Sequence, residues 1–517
     1  MILLVVLGVL ISCIWAYYKI IKPVKYWQER DVIHAKAWPI VGSLKDVTLK
    51  KKHVADAINE IYNQFPNERC VGYMDFTKPF LMIRDLELIK RITVKDFDHF
   101  QDHLAFDTII SDPLLAKSLL SLNGESWKRM RATISPVFTS SKMRFLYTLM
   151  EECAENFTNY FKEKEVKVEM KELFSKFAND VIASTAFGIQ IDSLKDPNNE
   201  FFKMGSSFTN FELWSILKIF IMQLAPGLAN LLRLRVFSEE ITNFFRSLVR
   251  DNIEKRHTEG IIRPDLIHLL MQAQKGQLKS ETDEEIEHSV LGNAKIELTD
   301  DHFVSQALTF FLAGFDTVST AASFMAQELA LNPQVQKQLQ LEIDSVWEKY
   351  NGKVPYETLQ SMKYLDQVVC ETLRLWPPAS QTDRLCVKSY VIEPVNPKEK
   401  VVFVEKGTSV LVPIMSIQRD PNYWENPDKF DPERFSDENR TKIIPGAYLP
   451  FGAGPRNCIG SRFALLEIKI LFFHLLSKFI LVPGDNTEIT LKLDPTKLSM
   501  TPEHGFQLSL KRRLLSP

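Results

Sequence analysis

One cysteine, Cys458, sits in the run Phe451-Gly-Ala-Gly-Pro-Arg-Asn-Cys-Ile-Gly460, immediately ahead of a strongly helical segment. Three features of that run favour a thiolate, and so a metal ligand. The N-terminus of a helix attracts negative charge, a glycine-rich turn frees backbone N–H groups, and Arg456 supplies a neighbouring cation. A thiolate held in this way can ligate haem iron. A cysteine at a loop-to-helix junction can also be a plain packed side chain, so the assignment depends on companion motifs elsewhere in the chain.

Ala313-Gly-Phe-Asp-Thr317 lies within the long, proline-free stretch 301–331. Small residues let a helix backbone come close to a ligand. A threonine hydroxyl can also donate back to the carbonyl four residues earlier, here that of Ala313, opening a local groove. An acid beside an alcohol can relay protons. Glu371 and Arg374 are opposite charges at i and i+3 on one helical face, a pattern found more often on solvated surfaces. Trp127 and Arg131 put an indole N–H and a guanidinium one turn apart, two donors suited to a buried carboxylate.

Phe451, Gly454, Arg456, Cys458 and Gly460 match the fixed positions of the haem-binding signature of the cytochrome P450 family, and the chain resembles that family from its apolar N-terminus to the strands after Ile480. The resemblance implies a mainly α-helical fold with a small β-rich lobe (α+β), the cytochrome P450 fold, holding haem b by an axial thiolate from Cys458. It makes Ala313, Gly314, Asp316 and Thr317 the oxygen-activation motif. Thr317 would hydrogen-bond bound dioxygen and Asp316 would pass protons from water. Glu371 and Arg374, completed by Arg434 in Pro432-Glu-Arg-Phe435, become a buried structural triad behind the haem. Trp127, Arg131 and Arg456 become donors to the haem propionates, and Arg384 a further one. Phe451 packs beside the sulfur, and Gly460 completes the cofactor loop.

The chain has no flavin or nicotinamide fingerprint and no iron–sulfur cysteine cluster of its own. The resemblance therefore implies electrons from NADPH through the diflavin NADPH–cytochrome P450 reductase, with cytochrome b5 as a further candidate partner. Lys128, Arg129, Arg462 and Lys469 would form a basic face for an acidic partner.

At 517 residues, 45% hydrophobic and 25% charged, the chain can bury a large core, and length alone suggests about three domains. The resemblance replaces these with one large unit. A formal net charge of -2 gives no general case for nucleic-acid binding. The six cysteines show no short paired spacing, so they indicate neither a disulfide framework nor a zinc site and fit a reducing, cytosol-facing compartment. Residues 1–18 are almost wholly apolar and are followed by Lys19, Lys22 and Lys25. Charge after the apolar run reads as a membrane anchor with the body on the cytoplasmic side, and Trp15, Tyr17 and Tyr18 suit the interface. Residues 19–42 read as a basic connector ending in the rigid Trp38-Pro-Ile-Val-Gly42, and residues 43–517 as a single catalytic domain. By resemblance, the anchor crosses the endoplasmic reticulum membrane once.

Most of the chain to about Leu385 reads as helices, with β character at 390–403 and 408–414. The segment 280–289 reads as an acidic exposed connection. A second apolar stretch, 211–232, is interrupted by Glu212, Lys218 and Pro226-Gly227. It resembles the family's pocket roof, which dips into the bilayer surface. The family pattern draws pocket walls from 100–120, 201–217, 303–317, 379–382 and 498–501. Phe106, Phe208, Phe211 and Phe310 in these walls suggest large, flat or lipophilic substrates. The leading reading is a microsomal monooxygenase. Its resemblance is greatest to insect members that oxidise xenobiotics such as insecticides or plant toxins. The alternatives are oxidation of an endogenous hormone or lipid, a reductase-independent isomerase or dehydratase acting on a peroxide, and a non-catalytic membrane-anchored haem sensor or carrier.

Overall fold

The computed structural model describes residues 2–104, 115–207, 218, 221–222, 227, 231–232, 234–235, 237–263, 265–275 and 298–513. Phe106, Phe208, Phe211, the segment 280–289 and most of the stretch 211–232 lie outside the described residues.

Helix α1 (Ile2–Ala16) presents Ile2, Leu3, Val6, Leu7, Leu10 and Ile14 outward, all exposed. One wider turn, Tyr17–Ile21, carries it on to Lys22–Val24. The helix thus runs past the sequence boundary at residue 18. Pro23 lies in the last piece, directly after the wider turn. Beyond it the connector is tied to the body. The Trp27 indole donates to the Tyr73 carbonyl at 3.0 Å, and its ring fills the space over Gly72, where a Cβ would come within 2.6 Å. Trp38 and Gly42 close a reciprocal backbone turn at 2.9 Å each way.

Among the described residues nine strands form three sheets: β1 (Cys70–Asp75), β2 (Lys78–Ile83), β3 (Glu165–Glu169), β4 (Thr382–Leu385), β5 (Tyr390–Ile392), β6 (Val402–Val404), β7 (Ser409–Val412), β8 (Phe479–Pro483) and β9 (Gln507–Arg512). The largest has the order β1-β2-β7-β4. β1 and β2 form a hairpin pairing Cys70 with Ile83 and Asp75 with Lys78, and β7 joins β2 in parallel through Phe80 and Ser409. The β1–β2 hairpin interrupts the region that the sequence reads as helical. Its strands are buried on both faces from Val71 to Met74 and from Phe80 to Ile83, so they show no period-two alternation.

Six helices position the site: α2 (Gly124–Ile134), α3 (Ser140–Tyr160), α4 (Met170–Ile182), α5 (Asp300–Leu331), α6 (Lys363–Leu375) and α7 (Ser461–Lys478). A large core joins them, and a second core fills the sheet lobe around Val71, Leu81, Val410 and Trp424. Helix α5 is the axis. It is long and apolar enough to cross a membrane, yet two-thirds of that apolar window is buried inside the protein, which makes it a core helix. Several of its hydroxyls bond back within the helix, Thr309 on the Ser305 carbonyl at 2.7 Å and Ser323 on the Ser319 carbonyl at 2.6 Å. Phe201 belongs to this core, not to a cavity wall. It meets Phe311 edge-to-face at 5.2 Å, and both pack with Phe187 and Phe245.

Candidate functional site

Between α5, the loop before α7 and the sheet lobe lies a cavity of about 1620 Å3. Pockets for a single organic ligand run to roughly 300–1,000 Å3, so this one has room for a flat macrocycle and a second molecule. Its lining includes Cys458, Phe451, Arg456 and Gly460 from the loop, Trp127 and Arg131 from α2, and Ala313, Gly314 and Thr317 from α5.

The loop is built from backbone turns. The Cys458 N–H donates to the Phe451 carbonyl at 2.9 Å and the Asn457 N–H to the Gly454 carbonyl at 2.9 Å. Gly454 has φ +73, and a Cβ there would lie 1.8 Å from the Thr93 carbonyl oxygen, so both its conformation and its neighbour demand glycine. A Cβ at Gly460 would meet no atom within 4 Å. That face of the loop is open to the cavity.

Cys458 is accessible through this cavity. Burial pushes its thiol up, while a backbone hydrogen bond at Gly460 and the charge of Arg131 pull it down. Arg131, not Arg456, is the cation that acts on the sulfur. The reason is orientation. Arg131 donates to the Asn457 carbonyl at 3.0 Å and to Asn457 Oδ1 at 2.8 Å, right beside the cysteine. Arg456 turns away, with Nε on the Gln101 carbonyl at 2.7 Å and Nη2 on the Leu122 carbonyl at 2.9 Å and on Asp102 Oδ1 at 3.3 Å. Its guanidinium lies 4.0 Å from the centre of the Trp127 ring. Burial lowers Arg456 to about 9 and Arg131 to about 10, so both stay charged at neutral pH.

Arg384 is fully buried outside the cavity lining. It braces the cysteine loop by donating to the Ala453 carbonyl at 3.1 Å. The sequence put it at the cofactor; here its Nη atoms are taken by the Asp383 and Ala453 carbonyls and the Thr382 hydroxyl.

On α5 the Thr317 hydroxyl donates to the Ala313 carbonyl at 2.5 Å, the back-bond expected from the spacing. Gly314 is small for another reason as well: a Cβ there would meet Ile182 of α4 at 3.0 Å. Asp316 does not line the cavity. Lys171, on α4, holds its carboxylate at 2.8 Å. The same ammonium reaches the Asp316 carbonyl at 3.0 Å, Ser319 Oγ at 2.8 Å and Thr320 Oγ1 at 2.6 Å.

Behind the loop, Glu371 and Arg374 form a wholly buried bidentate pair at 2.7 and 2.9 Å. Arg434 Nε lies 3.4 Å from Glu371 Oε1, and the Asp431 N–H donates to the same oxygen at 2.8 Å. Burial raises this carboxyl, and the two guanidinium groups and the N–H oppose that rise without cancelling it. Of the four cations assigned to a docking face, Arg129 and Arg462 are exposed. Lys128 pairs with Glu125 at 2.9 Å. Lys469 is not a surface charge at all: it is buried and paired with Asp366 at 2.8 Å.

The structure also adds residues to the site that the sequence did not single out. His103 lines the cavity and bonds Asp383 at 3.0 Å, and Ile182, Thr185 and Ala186 line it beside α5. Asp102 carries the Gly124 N–H at 2.8 Å as well as Arg456. No motif marks these positions; they meet the site only through folding.

A model of the cytochrome P450 family matches residues 34–510. The chain belongs to the cytochrome P450 family. It is 45% identical over 509 residues to cytochrome P450 9e2 of Blattella germanica, covering 94% of each chain. It is 38% identical to probable cytochrome P450 9f2 of Drosophila melanogaster, covering 94% of this chain and 95% of the relative. To cytochrome P450 6k1 of Blattella germanica it is 36% identical, over 98% and 96%. The chain is thus a haem-thiolate monooxygenase by family. Its residues fit a cytochrome P450 haem on two observations. The buried Nε atom of Arg131, a cavity-lining residue, has no partner among the described residues, as expected where a carboxylate-bearing group completes the set. The open face at Gly460 leaves space directly beside Cys458.

Proposed function

We propose that this cytochrome P450 is a microsomal enzyme of the endoplasmic reticulum. Residues 1–18 anchor it, residues 19–42 connect, and residues 43–517 form the catalytic domain. Electrons come from NADPH through NADPH–cytochrome P450 reductase, with cytochrome b5 as a second donor. Its substrates are lipophilic small molecules, foremost xenobiotics such as insecticides or plant toxins. The observation that carries the reading is that a single cavity is lined by both Cys458 and Thr317.

When bound, haem b supplies the reductive activation of dioxygen: one oxygen atom enters a substrate C–H bond and the other leaves as water. The chain's own residues do the rest. Cys458 would hold the haem iron through its thiolate. Trp127, Arg131 and Arg456 would orient the propionates, the two arginines neutralising them, with Arg384 bracing the loop and Phe451 and Gly460 shaping the space beside the sulfur. Thr317 stands at the cavity wall one turn after Ala313, whose carbonyl holds its hydroxyl proton and leaves the hydroxyl oxygen free to accept. Asp316, held by Lys171, stands one residue from Thr317 and would relay protons from water. Glu371, Arg374 and Arg434 fix the scaffold behind them. The exposed apolar face of α1 supports anchoring.

The reading is tested by reconstituting the full chain with reductase, NADPH and an apolar substrate under isotopically labelled dioxygen. NADPH consumption with one labelled oxygen atom in the product is expected. Turnover of a peroxide without NADPH would identify an isomerase or dehydratase, and haem binding without either reaction a sensor or carrier.

A further inference from the structure

Residues 117–122 run between α5 and the cysteine loop, and Leu119 and Leu120 within them line the cavity. At one end Gln306 of α5 grips the backbone twice. Its Oε1 accepts from the Leu119 N–H at 3.0 Å and its Nε2 donates to the Lys117 carbonyl at 2.6 Å. At the other end Arg456, in the cysteine loop, donates to the Leu122 carbonyl at 2.9 Å. Between the two holds the segment turns on itself, the N–H groups of Ser121 and Leu122 both donating to the Ser118 carbonyl, at 3.1 and 3.0 Å. Leu119 and Leu120 are therefore slung between the core helix and the loop that carries Cys458.

Gln306 is fully buried. A buried amide left without partners is costly, and so are the N–H and carbonyl that it satisfies. Outside it, Lys117 and Arg250 share the Asp301 carboxylate at 3.3 and 3.6 Å, but these side chains are 40 to 50% exposed, and such pairs contribute little. The buried amide is the stronger hold. It is also directed away from its own helix: Thr309, one turn on, bonds back to the Ser305 carbonyl, whereas Gln306 gives both of its polar atoms to another segment. Leucine has the same length and can make neither bond.

We infer that Gln306 is a positioning residue for ligand selection: it fixes Leu119 and Leu120 as an apolar wall that a bulky ligand in the cavity packs against and a small one does not reach. This deepens the monooxygenase reading and rests on it for the haem that reports the ligand.

The haem-loaded full chain in neutral detergent is titrated with imidazole and with N-phenylimidazole, followed at the Soret band, as wild type, Gln306→Leu, Leu120→Ala and the double variant. Gln306→Leu is expected to weaken N-phenylimidazole about fourfold, the equivalent of one buried methylene of contact, and imidazole by less than about twofold. Leu120→Ala should show the same selectivity, and the double variant should lose no more than the larger single loss, because both changes act through one wall. Unchanged affinity for N-phenylimidazole in Gln306→Leu, equal weakening of both azoles, or additive losses in the double variant would overturn the inference. Hydrogen exchange on wild type alone tests it without any substitution. N-phenylimidazole, and not imidazole, is expected to slow exchange in residues 117–122; equal exchange with the two azoles would overturn the inference even if Gln306→Leu fails to fold. A carbon monoxide difference spectrum on the same samples separates failure of this inference from failure of the haem-thiolate reading.

Discussion

Removing the Glu371 carboxylate would strand Arg374, which is wholly buried, and Arg434. Breaking a buried pair from one side costs about 3–5 kcal/mol, so Glu371→Ala is expected to melt far below wild type and to retain little haem, read by thermal unfolding and by the ratio of haem to protein absorbance. Wild-type melting and haem content would show that the triad bears no load. The pair was visible in sequence only as an i, i+3 spacing shared with many solvated pairs; its burial comes from packing against residues 418 and 429, whose carbonyls Arg374 also binds. Local relations were the readable ones. The Thr317 to Ala313 back-bond follows from four residues of helix. Which arginine acts on the sulfur does not: Arg131 and Arg456 are equally plausible by position, and Asn457 and Asp102 decide where each guanidinium points.

At the scale of elements, the cysteine loop needs glycine where it passes the Thr93 carbonyl. Gly454→Ala would add a Cβ at 1.8 Å from that oxygen and impose φ +73 on an L-residue. The left-handed conformation alone costs about 1–2 kcal/mol, so the variant is expected to fold with a displaced loop and to lose most of its haem, whereas normal haem content would contradict the tight approach. Between α4 and α5, Lys171→Met would leave the Asp316 carboxylate unpaired and Ser319 and Thr320 short of a donor. We expect several-fold less product per NADPH consumed, with Lys171→Arg recovering part of the ratio; an unchanged ratio would mean that Asp316 works independently of Lys171. Helix α5 was legible because a long, proline-free apolar stretch has few alternatives, and β5 to β7 because Val and Ile cluster between breaks. The β1–β2 hairpin was not, since both its faces are buried. Neither was Lys171, which lies 145 residues from Asp316 in the chain and comes beside it only when α4 packs on α5.

Across the whole molecule, one core helix carries titratable groups with nothing to hydrogen-bond them. Glu467 and His474 on α7 are fully buried and their side-chain polar atoms have no hydrogen-bond partners among the described residues. Burial holds the Glu467 carboxyl well above its ordinary 4.5 and lowers His474 to about 3. A carboxyl raised in the folded state contributes its stability below the unfolded value and loses it as pH rises. Glu467→Gln should therefore match wild type near pH 4.5 and exceed it by roughly 1–3 °C in melting temperature at pH 8; a gap that does not grow with pH would contradict the neutral, buried carboxyl. The global architecture, a helical body with a small sheet lobe, was carried by the family motifs, while the two cores emerge only from the assembled chain. The account as a whole rests on Cys458 as a thiolate ligand. The most direct measurement is the carbon monoxide difference spectrum of the dithionite-reduced full chain, wild type and Cys458→Ser. A strongly red-shifted Soret band in wild type, absent from the variant, is the expected result. Well-folded wild-type protein with no haem spectrum, or a red-shifted band that survives in Cys458→Ser, would contradict it.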